Sequence, residues 1–220
     1  MTSVQLHGVQ IPLQDRFSGV IRASLANGSY ESAEVGILEG LLEDGDRVLE
    51  LGTGLGFLAA YCAKRLSSAA VLTVEADPEQ EASVRATFAA NDVSPGLLFA
   101  AVSADGGPRT LRRHQNLWST RAVIGETDLV RGVALGELIR EHRPTVLVID
   151  IEGGESDLGP TPLPGVRAVI VECHSIRDCE AVAAWLIPQG FSPGSFTRRV
   201  RSFQRDEPGP EGQGAAVTIP

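Results

Sequence analysis

The residues best suited to chemistry stand at the ends of two apolar runs in the second half of the chain. Asp150 and Glu152 end one run, and Glu172 and His174 end the other. Side chains two positions apart on a pleated strand share a face, so each pair is expected on one face. Carboxylates and an imidazole can take the proton of a hydroxyl nucleophile. His174 is the favoured base because its reference pKa lies nearest neutrality, and Asp150 would orient the substrate.

These residues also leave other interpretations open. His174 can be a strand-end histidine bonded to a backbone carbonyl, and Asp150 and Glu152 can support the turn at Gly153 and Gly154. Three carboxylates and a histidine could also hold a divalent metal that binds a diol. The spacing is too unspecific to assert this, so no metal ligand is assigned.

A glycine-rich stretch, VLELGTGLGF, occupies residues 48–57. A strand, a tight glycine turn and a helix are expected there, because glycine permits positive φ and lets a ligand approach the main chain. The start of the helix would supply unpaired N–H groups. The dinucleotide fingerprint needs a third glycine where Phe57 stands, and no P-loop lysine follows. The loop therefore favours a nucleoside ligand without phosphate, although a purely structural turn remains possible.

Two acidic residues flank this loop. Glu75 follows Gly54 by 21 positions (75 minus 54), close to the roughly 20 expected for a carboxylate that binds a ribose diol. Glu50 precedes the loop and would suit a cationic amino group. A ligand with a ribose, an amino-acid tail and no phosphate is S-adenosylmethionine, which is therefore the expected cofactor.

Short apolar runs alternate with longer amphipathic segments along the chain. Strands are expected at 48–51, 71–74, 97–102, 145–151 and 168–172, and helices at 31–42, 56–66, 78–90, 135–142 and 178–187. This alternation predicts an α/β fold with a doubly wound, mainly parallel sheet and helices on both faces. Residues 197–204 would add an antiparallel edge strand. Ligands are then expected at the carboxyl ends of the strands.

Composition narrows the classes of protein. The chain has 220 residues, a net charge of −9 and a single lysine, Lys64, so neither Schiff-base chemistry nor nucleic-acid binding is expected. Neither a membrane-spanning run nor a signal peptide is found. Three cysteines without a CxxC pair favour a reducing compartment, and we expect a cytoplasmic protein. Three regions are predicted: an N-terminal hairpin or arm at 1–30, one cofactor-binding domain at 31–205, and a flexible Gly/Pro-rich tail at 206–220.

Four segments together resemble the class I S-adenosylmethionine-dependent methyltransferases, and more narrowly the FkbM family. They are Gly28 to Glu31, Val48 to Gly56, Val74 to Pro78 with Asn91, and Val148 to Gly153. The last has the strand-four pattern Asp-x-Glu-Gly, and Val169 to His174 is similar to the strand-five counterpart. One departure is Gly52-Thr53-Gly54, where family members commonly carry Gly-Ala-Asn.

The resemblance implies a Rossmann-like fold with a seven-stranded sheet and methyl transfer to a small molecule, usually at an oxygen. It implies that the glycine loop lines the cofactor, that Glu75 and Ala76 lie at the ribose, that Glu50 faces the methionine end, and that Ser103 lies near the adenine. Further cofactor contacts are implied for Gly52, Thr53, Gly54, Gly56, Asp150 and Tyr30.

The acceptor and the oligomeric state are not predicted. Alternative functions are an RNA or protein methyltransferase that uses the arginines near residue 200, a non-catalytic module that binds the cofactor, and a nicotinamide-dependent oxidoreductase. The position of Gly56 disfavours the last of these.

Overall fold

A computed structural model describes residues 2–113, 120–123 and 129–205. Its strands are β1 Ser3–Leu6, β2 Val9–Pro12, β3 Val48–Leu51, β4 Val71–Glu75, β5 Gly96–Phe99, β6 Ala101–Ser103, β7 Arg109–Arg113, β8 Thr120–Val123, β9 Leu129–Val130, β10 Gly132–Ala134, β11 Val146–Ile149, β12 Ala168–Glu172, β13 Phe191–Thr197 and β14 Val200–Arg205. Its α-helices are α1 Gly19–Ala26, α2 Ser32–Leu41, α3 Phe57–Arg65, α4 Glu81–Ala90, α5 Leu135–His142 and α6 Ile176–Leu186.

Seven strands form the central sheet in the order β13-β14-β12-β11-β3-β4-β5. Only β14 runs against its neighbours, so the sheet is mainly parallel, as the sequence predicts. The chain moves outward from β3 through β4 to β5 and later returns to the other side of β3 as β11. The direction of winding therefore reverses between β3 and β11, which is where a doubly wound sheet opens a crevice at its carboxyl edge.

Helices cover both faces of this sheet because its strands alternate apolar side chains between two cores. Val48, Val146 and Ile170 pack with the helices α1 to α4. Leu49 and Leu147 point to the other face and pack with α5 and α6. Both faces are thus buried, which explains the nearly continuous apolar runs of β3, β11 and β12.

The N-terminal hairpin β1–β2 turns at His7 and Gly8, both at positive φ, and packs against the first core. Its backbone at Gln10 exchanges two hydrogen bonds with the side chain of Asn91, with N···O distances of 2.8 and 2.7 Å. Lys64 donates to the carbonyl of Gly8. Strand and helix contacts therefore fix the hairpin beside α3 and α4.

Some boundaries differ from the expectations. The predicted strand 97–102 is split into β5 and β6, and β6 pairs with β10 outside the central sheet. The predicted edge strand is β14, but β13 lies outside it, because Phe191–Thr197 pairs antiparallel with β14. Helix α1 and the antiparallel sheet of β7, β8 and β9 were not predicted.

The predicted tail 206–220 lies outside the described residues. Within the described part of the chain, every helix is too short or too polar to cross a bilayer.

Candidate active site

The loops after β3 and β11 meet at the reversal of the sheet. Gly52 has a φ of +92°, and a Cβ atom built on it would lie 1.7 Å from the backbone oxygen of Asp150. The amide of Gly52 donates to Val74 at 2.8 Å, and the amide of Asp150 donates to Leu51 at 2.8 Å. Only glycine fits between these strands, so the first glycine of the loop is required by close packing as well as by its dihedral angle.

The third glycine allows the helix after the loop to pack closely. A Cβ atom on Gly56 would lie 3.0 Å from the ring of Phe88 and 3.2 Å from Val84, both on α4. Helix α3 therefore starts directly against α4, with Phe57 fully buried as its first residue. Tyr30 stacks edge-on against Phe57 at 5.8 Å between ring centroids, which places it beside the glycine loop, defined here as residues 52–56.

Glu75 holds the glycine loop in place. One carboxylate oxygen accepts the amides of Thr53 and Gly54 at 3.1 and 3.0 Å, and the other accepts the amide of Asp77 at 2.8 Å. Burial nevertheless raises the pKa of Glu75 to about 7, although these hydrogen bonds oppose the shift. Three of the four lone-pair sites of the carboxylate are therefore used, and one is left for a ligand.

Glu50 lies beneath the glycine loop and is 2% exposed. It accepts a hydrogen bond from Thr73, whose hydroxyl also lies 2.5 Å from the hydroxyl of Thr53. Burial raises the pKa of Glu50 to about 8. Its side chain supports the loop from below, so the implied contact with the methionine end remains a prediction.

A narrow cleft of about 30 Å³ adjoins the loop on the side of β4. Gly52, Val74, Ala76 and Val102 are among the residues that line it. Ser103, which the resemblance places near the adenine, is buried next to this cleft. Its hydroxyl donates to Asp105 at 2.8 Å and accepts the amide of Gly106 at 3.1 Å, so it stabilises the turn after β6.

A larger cavity of about 430 Å³ opens on the other side of the loop and is called the main cavity below. The carboxylates in its wall come from three parts of the fold: the start of α2, the loop after β11 and the end of β12. They are Glu31, Glu34, Asp150, Glu152 and Glu172, and the remaining wall includes Tyr30, His174, Arg198 and Arg199. Negative groups thus outnumber positive ones around this cavity.

His174 stands at the centre of an acidic cluster formed with Asp150, Glu152 and Glu155. Its Nε2 atom lies 3.2 Å from Glu152 Oε2 and 3.6 Å from Asp150 Oδ1, and its Nδ1 atom lies 3.0 Å from Glu155 Oε1. Glu152 reaches His174 because its backbone adopts a φ of +54° directly before Gly153. Ser175 then caps α6, since its hydroxyl accepts the amide of Asp178 at 3.1 Å.

The charged groups of the acidic cluster shift one another's pKa values. Hydrogen bonding to Glu155 and the charges of Asp150 and Glu152 outweigh burial and raise the pKa of His174 to about 9. Burial, followed by repulsion from Glu172, raises the pKa of Asp150 well above its usual value. At neutral pH the imidazole therefore carries a proton, which it must lose before it can act as the predicted base.

Solved structures share this architecture. The precorrin-6y C5,15-methyltransferase of Geobacter metallireducens matches with a TM-score of 0.55 and 9% identity, over 89% of this chain and 94% of that one. A candidate SAM-dependent methyltransferase of Streptococcus mutans matches with a TM-score of 0.54 and 12% identity, over 92% and 54%. A candidate tRNA (m1A22) methyltransferase of Streptococcus pneumoniae matches with a TM-score of 0.50 and 13% identity, over 79% and 70%.

The chain has the Rossmann-like fold of these methyltransferases. Neither a protein-family model nor a curated protein sequence matches it. At these identities the similarity shows the fold alone.

Within the methyltransferase fold, the structure gathers some predicted site residues and separates others. Asp150, Glu152, Glu172 and His174 line one cavity, together with Tyr30. The glycine loop and Glu75 contact each other beside it. Glu50 and Ser103 are buried in supporting contacts.

Sequence reasoning did not single out Glu155, Glu31 or Glu34. Glu155 is 1% exposed and bonds both His174 and the amide of Gly153. The only available signal was its position directly after the Gly-Gly turn. Glu34 on α2 and Glu31 directly before it both line the main cavity. In the sequence, acidic residues at these positions are typical of the polar side of an ordinary amphipathic helix.

Proposed function

We propose that this protein is an S-adenosylmethionine-dependent methyltransferase that methylates a hydroxyl group of a small molecule. The observation that carries the proposal is the contact between Gly52 and Asp150. It joins a glycine loop suited to a nucleoside with a cavity lined by carboxylates and a histidine. Methyl transfer needs such adjacency, because the acceptor oxygen must stand in line with the methyl group at near-attack distance.

The residues of the glycine loop fit this cofactor. Glu75 keeps one lone-pair site for a ribose hydroxyl after binding three amides. When bound, S-adenosylmethionine supplies a methyl group activated by a sulfonium sulfur. Asp150 and Glu31 line the main cavity next to Gly52 and Gly54, and their carboxyl groups can bind the cationic methionine end. The cleft at Val74 is smaller than a purine, so its lining side chains must move apart to admit the adenine.

The main cavity favours a neutral, hydroxyl-bearing acceptor. Its five carboxyl groups outnumber its basic groups and disfavour a phosphate group, and its volume of about 430 Å³ suits a small molecule. In the reaction the bond between sulfur and methyl breaks, a bond between the methyl and the acceptor oxygen forms, and the hydroxyl proton leaves. Glu172, Asp150 or Glu152 can take that proton, since all three reach the same cavity.

The narrower assignment to the FkbM family belongs to the same proposal. It is supported by Asp150 to Gly153 at the carboxyl end of β11, where the strand-four motif would lie. Cys173 and His174 follow β12 in the corresponding place.

RNA methylation is a second candidate. Arg198 and Arg199 line the rim of the main cavity. Arginines at a cavity mouth can bind phosphate. Salt-sensitive binding to a tRNA mixture would favour this candidate, and no binding at low salt would eliminate it.

Titration calorimetry with S-adenosylhomocysteine tests the cofactor. We expect the wild-type chain to bind S-adenosylhomocysteine and to show no binding of NAD. Glu75→Ala should weaken binding by about 1–3 kcal/mol, the scale of a lost charged hydrogen bond. Glu137→Ala, at an exposed position on α5, is the matched control and should bind like the wild type. Unchanged affinity in Glu75→Ala would remove the ribose assignment, and preferred binding of NAD would refute the proposed function.

Transfer itself is tested with a radiolabelled methyl donor and a panel of sugars and phenols. Labelled product that depends on Asp150 and His174 supports an enzyme. Binding of the nucleoside without any transfer would instead favour a non-catalytic module.

A further inference from the structure

Three side chains of the acidic cluster have the spacing of ligands around one cation. Ligand atoms about 2.1 Å from a common cation stand roughly 3.0–3.5 Å apart at octahedral and tetrahedral angles. His174 Nε2 lies 3.2 Å from Glu152 Oε2 and 3.6 Å from Asp150 Oδ1. One ligand atom from each of the three residues lies within 4.8 Å of the other two. Small side-chain rotations would bring all three onto one ion.

One oxygen of this cluster lacks a hydrogen-bond donor among the described residues. Asp150 Oδ1 is shielded from solvent, and no described residue donates a hydrogen bond to it. An N–H group at Nε2 points along one direction and would serve the closer oxygen, on Glu152. A buried acceptor without a donor loses the hydrogen bonds that water would give it in the unfolded chain, which destabilises the fold. A cation contacts both carboxylates at once and removes this cost.

Glu155 fixes the imidazole in the orientation that a metal ligand needs. Its side chain is fully buried, and its Oε1 atom lies 3.0 Å from Nδ1 of His174 and 3.1 Å from the amide of Gly153. An ionised carboxylate only accepts, so Nδ1 keeps its proton when a cation displaces the proton of Nε2, and Nε2 then presents its lone pair between Asp150 and Glu152. Carboxylates that bind the second nitrogen of a metal-bound histidine commonly have this function.

We propose that Asp150, Glu152 and His174 bind one divalent cation, with Glu155 as the residue that positions His174. Two carboxylate oxygens and one imidazole nitrogen suit Mn²⁺ or Zn²⁺ better than Mg²⁺ or Ca²⁺, which prefer oxygen ligands alone. Three protein ligands leave coordination positions open toward the main cavity.

The consequence for the reaction rests on the proposed function. Two oxygens of an acceptor, such as those of a vicinal diol, can occupy the open positions on the cation. Binding to the cation would lower the pKa of the reacting hydroxyl. Glu172, which lines the same cavity and is not a ligand, then takes its proton.

The test is a titration of the chelator-treated full chain with Mn²⁺, followed by the electron paramagnetic resonance signal of the free ion. We expect one Mn²⁺ per chain and competition by Zn²⁺. Glu152→Gln should weaken binding at least tenfold, and Glu155→Gln should weaken it roughly tenfold to a hundredfold, as for other residues that position a ligand. Glu180→Gln, at an exposed position of α6, is the control and should leave binding unchanged.

Absence of Mn²⁺ binding by a folded wild-type chain would overturn the proposal, and so would equal binding by Glu152→Gln. Circular dichroism verifies that each variant is folded; Glu152 is partly exposed, so its replacement by glutamine should not disturb packing. The same samples are titrated with S-adenosylhomocysteine. Mn²⁺ binding without nucleoside binding would refute the proposed function alone, and nucleoside binding without Mn²⁺ binding would refute the metal site alone.

Discussion

The carboxylates on the two sides of the crevice differ in their hydrogen-bond partners. On the side of the glycine loop, Glu75 accepts three backbone amides and Glu50 accepts the hydroxyl of Thr73. In the acidic cluster, Asp150 Oδ1 and Glu155 Oε2 are buried without a hydrogen-bond donor among the described residues. The carboxylates beside the glycine loop have hydrogen-bond partners, whereas the acidic cluster contains buried carboxylate oxygens without donors.

This difference separates support of the fold from preparation for a ligand. Carboxylates that accept backbone amides stabilise the loop that bears them. Carboxylates crowded together without donors raise one another's pKa and destabilise the fold until a cation or a substrate arrives. Replacing Glu75, which accepts backbone amides, and replacing Asp150, which has a buried oxygen without a donor, should therefore change stability in opposite directions.

The largest effect is expected for Gly52→Ala, at the boundary between the two sides. Its Cβ would meet the backbone of Asp150 at 1.7 Å, so β3 and β11 would have to separate. We expect a loss of more than about 4 kcal/mol in the free energy of unfolding, measured by urea denaturation.

Gly45→Ala is the matched control for this variant. Gly45 also has a φ of +92°, but no atom lies within 4 Å of a Cβ built there. It should lose only the backbone strain of about 1–2 kcal/mol. Equal losses in the two variants would show that strain, and not the contact with Asp150, makes glycine necessary at position 52.

Glu50→Gln should have the next largest effect, and its sign depends on pH. The pKa of Glu50 is about 8 in the fold against 4.5 for an ordinary glutamate. The folded state therefore keeps a proton that the unfolded state releases, and the wild type loses stability as pH rises from 4.5 to 8. Glutamine does not titrate, so the variant should be more stable by about 4 kcal/mol at pH 8.

That advantage should fall to a few tenths of a kcal/mol near pH 4.5, where Glu50 is half protonated in the unfolded state and almost fully protonated in the fold, and it should vanish at lower pH. Thermal unfolding of the chain at several pH values measures the difference. A constant difference across this range would mean that Glu50 is not held in its protonated form by burial.

Glu75→Ala should lower the free energy of unfolding by about 2 kcal/mol, because three amides of the glycine loop and of Asp77 lose their acceptor. Urea denaturation without ligand measures this loss. Wild-type stability in this variant would show that water replaces the carboxylate at no cost, and the loop would then not depend on Glu75.

Asp150→Asn should give the smallest effect, with the opposite sign. Asparagine carries no charge, so it avoids the burial and the repulsion by Glu172 that raise the pKa of Asp150. The chain should therefore become slightly more stable in a chelating buffer, by up to about 1 kcal/mol, which is typical of a stabilising substitution. Activity should be lost in the same variant. A less stable Asp150→Asn chain would contradict the contrast between the two sides of the crevice.

The sequence predicted the centre of the fold better than its margins. Strands β3 and β12 and helix α5 lie where expected, because buried parallel strands give unbroken apolar runs and α5 has a clear apolar face. Strand β13 was not predicted, because its sequence FSPGSFT contains proline and glycine and six of its seven residues are exposed. An edge strand pairs on one side only and needs no apolar pattern.

For the site, spacing predicted that Asp150, Glu152, Glu172 and His174 would come together, because the ends of neighbouring parallel strands meet at one edge. Glu155 could not be predicted in the same way. Its contact with His174 depends on the turn at Glu152 and Gly153, both at positive φ, and such dihedral angles are not specified by residue type alone.

The tight packing of Gly52 against Asp150 couples the glycine loop to the loop after β11. The main chain of Asp150 contacts the glycine loop, while its side chain contacts His174. A displacement of either loop is therefore transmitted directly to the other. Under the proposed function, the nucleoside and the acceptor should therefore influence each other's binding: whatever factor the first ligand applies to the dissociation constant of the second, the second applies to that of the first.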